Sequence, residues 1–297
     1  MKTTKVKGLD IIPPKETSGM YETLPHLPSA GQVCIANGKR KSGKSTAIIN
    51  LIEKMGFDYT IAVSPTMHSN RELMERINIE HVFDDVDDPS VIDKIKDIVK
   101  KEADDLEQYQ EELKRYNKLM KDLKDGKYLD DDLLLQFFSD ENYFVKPTHR
   151  WDGRKPRIAV VFDDMLGSGI YSKPRKLNGL ATYSRHLGQL KSGGAIGASL
   201  FFMIQSYKCQ VGGSNKVIRN QCTALILFKT KDKQELKDIA ESCCGEIDEE
   251  TFNKVYDQAI GDGSNYPFLL IDFHKKKEHP SMFRRKFDEF ILTENIK

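Results

Sequence analysis

Nine consecutive residues constrain this chain more than any others: Gly38-Lys39-Arg40-Lys41-Ser42-Gly43-Lys44-Ser45-Thr46. The residues before them, Val33-Cys34-Ile35-Ala36, form a short apolar run that reads as a buried strand, and residues 46–55 carry the apolar spacing of a helix. A glycine-rich turn between strand and helix aims its backbone N–H groups at one point, and the positive end of the helix adds to their field, so the turn suits a phosphate. Gly38 and Gly43 allow the turn, Lys44 is placed to reach β- and γ-phosphates, and Ser45 offers a hydroxyl to Mg²⁺. Lys39, Arg40 and Lys41 raise the local potential for a polyanion. The expected ligands are therefore ATP and Mg²⁺.

Further apolar runs follow at residues 59–63, 157–162, 199–204, 224–228 and 267–273, with helical stretches at 233–243 and 249–260. The runs are short and unalternating, as strands covered on both faces are, and strand–helix–strand order implies a parallel sheet. The fold class is α/β with a mostly parallel central sheet. Residues 1–30, with Pro13, Pro14, Pro25 and Pro28, read as an irregular arm, and residues 31–297 as one domain. Within that domain, residues 84–145 read as a helical acidic insertion. Ile92, Val99, Leu106, Leu113 and Met120 recur every seven residues in it, and residues 84–142 hold nineteen acidic against ten basic side chains. A helical excursion packed on its own core fits this pattern better than an intermolecular coiled coil.

Composition excludes rather than identifies. Lys+Arg 46 against Asp+Glu 45 in 297 residues describes no basic coat protein. Five cysteines without a C-x-x-C pair suggest a reducing compartment, and the longest apolar run, residues 198–204, is too short to span a bilayer. No membrane association is expected. Charge is informative regionally: residues 165–231 contain ten Lys or Arg and no Asp or Glu. Glycine-rich basic loops of this kind suit a phosphate backbone bound without base readout, with Lys173, Arg175, Lys176 and Lys191 as candidates for double-stranded DNA. Nucleotide phosphates or a neighbouring subunit's acidic face are equally open as their partners.

The strand at 157–162 ends in Asp163-Asp164, and a buried strand has no structural use for a charged pair at its tip beyond a solvated turn or a helix cap. Beside a phosphate loop the pair gains a role: Asp163 in the Mg²⁺ shell, Asp164 as the group that orients or deprotonates the attacking water. Gln205, after the strand at 199–204, is a candidate γ-phosphate sensor or a residue that caps a strand-end turn.

Taken in order, these segments resemble the FtsK-HerA superfamily of P-loop motors, and within it the genome-packaging ATPases of poxviruses, giant viruses and virophages. The likeness covers residues 30–275. It rests on the loop at 38–46, Ser64-Pro65-Thr66, Phe162-Asp163-Asp164-Met165, Ser184-Arg185-His186, Gln205-Ser206-Tyr207 and residues 218–228. The resemblance implies a RecA-like (ASCE) sheet with an extra strand between those carrying Lys44 and Asp163. It implies a homo-oligomeric ring of five or six subunits, with Arg185 first and Arg219 second as the arginine that completes a neighbour's site. It further implies translocation of viral DNA into a preformed capsid, capsid proteins as partners, and residence in host cytoplasm, viral factory or virion. Ser184 stands where the family usually has Gly, and residues 187–198 are longer than its usual link.

Two rival readings are a P-loop kinase of a small molecule and a nucleotide-dependent, non-catalytic assembly scaffold. The first requires a second substrate pocket and a lid, and the basic bias of 165–231 favours a polymer instead. Intact Lys44, Asp163 and Asp164 argue against the second.

Overall fold

The computed structural model describes residues 22–66, 75–126, 145–208, 214–243, 247–261, 263 and 265–293. Most of the expected arm (1–21), part of the acidic insertion (127–144) and Cys209 and Cys244 lie outside the described residues.

Apolar runs with no polar alternation become the interior strands of one sheet. β1 (Val33–Asn37), β2 (Tyr59–Val63) and β4 (Ile158–Phe162) are buried along their whole length, as are β5 (Ser199–Ile204), β6 (Ala224–Phe228) and β7 (Phe268–Asp272). β3 (Ile79–Phe83) is half-buried, and β8 (Phe283–Arg285) and β9 (Glu289–Phe290) are short. The nine strands form one sheet in the order β3-β2-β4-β5-β1-β6-β7-β8-β9. β1 to β6 run parallel, and β7, β8 and β9 close the far edge antiparallel. β5 stands between β1 and β4, so the strand leading into the phosphate loop and the strand ending in Asp163 are separated by one strand, as the resemblance implies. The fold is a mostly parallel α/β sheet whose central order β2-β4-β5-β1-β6 is RecA-like.

Two apolar layers cover the sheet because successive side chains along each strand point to opposite faces. On one face, Cys34, Ala36, Val161, Phe201, Met203 and Ile226 meet Ile48, Leu51, Ile52 and Met55 of α1 (Lys44–Met55). On the other, Ile35, Ile61, Val160, Phe202 and Leu225 meet four helices. These are α2 (Val91–Lys124), α4 (Arg175–Tyr183), α6 (Lys233–Cys243) and α7 (Glu249–Ile260); α3 (Gly169–Ser172) and α5 (Lys216–Gln221) are short. None of the helices among the described residues is long and apolar enough to cross a membrane.

The long helix differs from a helical excursion packed on its own core. Val91, Ile92, Ile95, Val99, Ala103 and Leu106 of α2 are buried in the main core against the sheet, whereas of residues 107–124 only Leu119 is buried. The seven-residue seam is therefore two things in sequence: a sheet-covering stripe, then an exposed rod on which Leu123 is 42% exposed. Polar contacts also tie this helix to the acid-free stretch. Lys176 Nζ lies 2.5 Å from Asp93, and Lys191 Nζ lies 3.3 Å from Glu107 and 4.0 Å from Glu111.

The described part of the N-terminal arm has no helix or strand, and side chains near the C-terminus hold it by its carbonyls. Arg284, fully buried, donates to His26 O; His279 Nε2 lies 2.6 Å from Pro25 O; Lys276 Nζ donates to Leu24 O at 2.8 Å. These bonds anchor the chain just before it enters β1.

Because the two halves of α2 do different work, truncating them has different costs. Leu106→Ala is expected to lower unfolding free energy by ~2–5 kcal/mol, and Leu123→Ala to change it by about 0.5 kcal/mol or less. Denaturant titration of the two variants checks this, and equal effects would contradict the division of the helix.

Candidate phosphate and metal site at the carboxyl edge of the sheet

The loop at 38–46 is seated on the sheet by its first glycine. Gly38 N donates to Ile204 O at 3.1 Å, continuing the β1–β5 ladder one residue past the paired Asn37 and Ile204. A β-carbon at Gly38 would come within 2.8 Å of Phe228 Cβ, so only glycine lets the loop turn this close to β6. Gly43 has φ 97°, a conformation that L side chains rarely adopt, and it leads directly into α1. The first-turn N–H groups of α1 are thereby presented at the loop's centre.

Lys44 Nζ folds back onto the loop, donating to Gly38 O at 2.7 Å and Lys39 O at 3.1 Å. Burial lowers its pKa, and the charges of Asp163 and Asp164 act against that shift. Ser45 is half-buried at the start of α1, while Lys39, Arg40, Lys41 and Thr46 are exposed around the loop. Ser42 Oγ and the Asn37 side chain are buried with no hydrogen-bond partner among the described residues. Buried polar atoms left unpaired at the rim of a backbone cradle fit a bound polar ligand.

Asp163 follows β4, and its N–H donates to Val63 O at 3.0 Å, which aligns the tip of β4 with that of β2. Burial is the largest influence on its carboxyl and raises its pKa; the Asp164 charge adds to this, and the Asp164 N–H and Lys44 pull against it. Asp164 is exposed with φ 52°, so the chain turns sharply there and carries the second carboxylate outward. Among the described residues no three His, Cys, Asp or Glu side chains cluster to hold a metal ion. Mg²⁺ commonly takes one or two protein oxygens plus phosphate oxygens and water, and Ser45 and Asp163 have the chemistry for the protein share. Gln205 follows β5, between the two, and is half-buried.

Two further residues of this edge have no signal in the sequence. Tyr171 of α3 is 7% exposed, its hydroxyl has no hydrogen-bond partner among the described residues, and the Asp163 charge adds to burial in raising its pKa. Tyr266 rests against Gly43. Neither is visible beforehand because each arrives from a separate element through tertiary packing.

The two candidate arginines are placed very differently. Arg185 lies in the 3-10 turn Ser184–His186, whose Ser184 O accepts from Ala198 N, just before β5 begins. It is exposed, it donates to its neighbour His186 at 3.1 Å, and it lines a cleft of about 910 Å³ with Gln32, Val33, Thr223 and Asp272. That cleft is at the amino edge of β1 and β6. The phosphate loop is at the carboxyl edge, a strand length of roughly 16 Å away for five residues, so Arg185 serves no site of its own chain at that loop. Arg219, in α5, donates to Ser214 O and to Tyr207 O at 3.4 Å, and its guanidinium lies 5.6 Å from the Tyr207 ring centroid. Its hydrogen bonds hold Tyr207 and Ser214.

The four DNA candidates divide as well. Lys176 and Lys191 are ion-paired with α2, whereas Lys173 and Arg175 are exposed and make no ion pair among the described residues. Part of the acid-free stretch thus meets an acidic face of its own chain.

No family model matches the chain, and no curated protein matches it in sequence. Solved structures do. The chain is similar to the genome packaging NTPase B204 from Sulfolobus turreted icosahedral virus 2 in complex with ATP-gammaS, at 14% identity and TM-score 0.44, over 86% of this chain and 96% of that one. It is similar to B204, the DNA-packaging ATPase from Sulfolobus turreted icosahedral virus, at 15% identity and TM-score 0.46, over 86% and 97%. It is also similar to the monomer form of the pCW3 conjugation coupling protein TcpA with ATPγS, at 17% identity and TM-score 0.41, over 87% of this chain and 61% of that one.

A buried carboxylate at a site commonly costs stability. The folded chain binds the Asp163 proton more tightly than the unfolded chain does, so stability falls as pH rises from the ordinary carboxylate range through the raised pKa. Asp163→Asn is therefore expected to raise Tm of the ligand-free chain by ~2 °C at pH 7–8, and the gain should disappear below the ordinary carboxylate range. Calorimetry across pH checks the sign; a lower Tm at pH 7–8 would contradict it.

Proposed function

We propose that this chain is an ATPase that drives translocation of double-stranded DNA, as a viral genome-packaging motor working in a homo-oligomeric ring. The observation that carries the reading is a division of the site between two edges of one sheet. Lys44, Asp163 and Asp164 share the carboxyl edge, and Arg185, exposed and without an acidic partner among the described residues, stands at the amino edge. A site so divided is completed when the amino edge of one subunit meets the carboxyl edge of the next. The small-molecule kinase has no comparable use for Arg185.

In this reading the loop N–H groups and Lys44 hold the phosphates in place, and Gln205 meets the terminal phosphate. Asp164, turned outward, holds the attacking water in line and takes its proton. Ser45 and Asp163 would hold Mg²⁺, which would supply charge neutralisation to the phosphates. The neighbouring subunit's arginine stabilises charge that develops only in the transition state. The contacts of Arg219 with Ser214 and Tyr207 favour Arg185 over it for that role.

Turnover should rise when double-stranded DNA of any sequence is added, and an ATPase assay with and without DNA tests the reading; turnover indifferent to DNA would favour the kinase, and nucleotide binding without turnover the scaffold. Lys44→Ala should abolish nucleotide binding, while Asp164→Asn should keep binding and lose at least ~10²-fold in turnover. Wild-type turnover in the latter would remove Asp164 from the mechanism.

Arg185→Ala should lower turnover by roughly 10³-fold with little change in nucleotide affinity. Mixing Arg185→Ala subunits with Lys44→Ala subunits should restore activity, because some interfaces then pair an intact loop with an intact arginine. A mixture that exchanges subunits yet stays inactive would contradict the assignment.

For DNA, reversing charge at Lys173 and Arg175 should flatten the salt dependence of log K by about 2, at ~0.9 per phosphate contact. An unchanged slope would assign them elsewhere.

A further inference from the structure

Tyr266 is used by none of the chemistry above. It lies between α7 and β7, and that connection reaches the carboxyl edge because β7 runs antiparallel to β6, with Phe268 opposite Phe228. A β-carbon at Gly43 would come 2.8 Å from Tyr266 Cβ and 2.9 Å from its Cγ and Cδ1. The tyrosine stem therefore rests on the glycine that precedes Lys44.

Tyr266 holds this position with φ 55°, in the left-handed region that a bulky residue enters only where its surroundings impose it. Backbone outliers of this kind concentrate at ligand sites. Burial of the residue does not account for it, since it is 58% exposed. A tyrosine fixed on the phosphate loop by its Cβ and one ring edge, with more than half of its surface exposed, offers an aromatic face to a ligand of that loop.

Direction along the sheet says what would stack there. Asp163 and Gln205 end β4 and β5, on one side of β1; Phe228 and Tyr266 belong to the β6–β7 side. A phosphate chain whose terminal group faces Asp163 and Gln205 leaves its nucleoside end toward β6 and β7.

We propose that Tyr266 is the base platform of the nucleotide site, its ring stacking on the base of a nucleoside triphosphate held by the loop at 38–46. This rests on the phosphate-loop reading and adds to it the residue that binds the non-reacting end. Every base has a π-face, so the platform contributes affinity for the nucleoside and not a choice among bases.

The test is calorimetric titration of the full chain with a non-hydrolysable ATP analogue and, separately, with tripolyphosphate. Tyr266→Ala is expected to weaken the analogue by roughly 5- to 150-fold and leave tripolyphosphate unchanged, and Tyr266→Phe to bind both as the wild type does. Loss of both ligands in Tyr266→Ala would mean that the residue only shapes the loop, and unchanged analogue affinity would mean that it touches no base; either overturns the platform. Lys44→Ala separates the two readings, because it should weaken both ligands. If the wild-type chain binds neither ligand, the phosphate-loop reading fails and the platform with it.

Discussion

The hydrogen bond from Gly38 N to Ile204 O is the contact on which the rest of the site depends. It extends the β1–β5 ladder past the end of β1 and fixes where the phosphate loop leaves the sheet. With β5 seated between β1 and β4, the same contact sets the spacing between Lys44 and Asp163, and it puts Gln205 between them. Phe228, packed against Gly38 from β6, fixes the loop from the other side. A side chain at position 38 meets that ring stem, so the geometry of the site is a property of packing in the sheet as much as of the loop itself.

Charge is arranged with similar economy. The acid-free stretch and the acidic helix lie far apart in sequence and meet in space, through Lys176 with Asp93 and Lys191 with Glu107. These are exposed pairs and add little stability each. Their larger consequence is subtraction: they occupy some of the basic groups and leave Lys173, Arg175 and Arg185 without acidic partners among the described residues. The unpaired cations are then the ones available to a polyanion or to a neighbouring subunit's nucleotide.

The interior strands were readable because a strand covered on both faces is mostly apolar without alternation, and residues 33–36, 59–63, 157–162, 199–204, 224–228 and 267–273 have that character apart from Thr60, Arg157, Ser199 and Asp272. β3, β8 and β9 were not, since edge strands are short or half-buried and mix charge with apolar residues. The glycine-rich stretch after Asp164 reads as loop, yet residues 169–172 and 175–183 are helical because Ile170, Leu177 and Leu180 find a core to bury into. The seam of α2 is visible as periodicity, but which half covers the sheet depends on tertiary packing that spacing alone does not carry. At the site, the loop and the Asp163-Asp164 tip were legible from local pattern. Tyr171 and Tyr266 were not, and the placement of Arg185 at the amino edge follows only from the sheet topology.

Turnover at the carboxyl edge is proposed to move double-stranded DNA. Displacement of a third strand from a triplex-bearing duplex measures that movement directly. The expected result is displacement that requires ATP, proceeds whatever the duplex sequence, and vanishes with Lys44→Ala. ATP turnover on DNA that is demonstrably bound, with no displacement of the third strand, would contradict it.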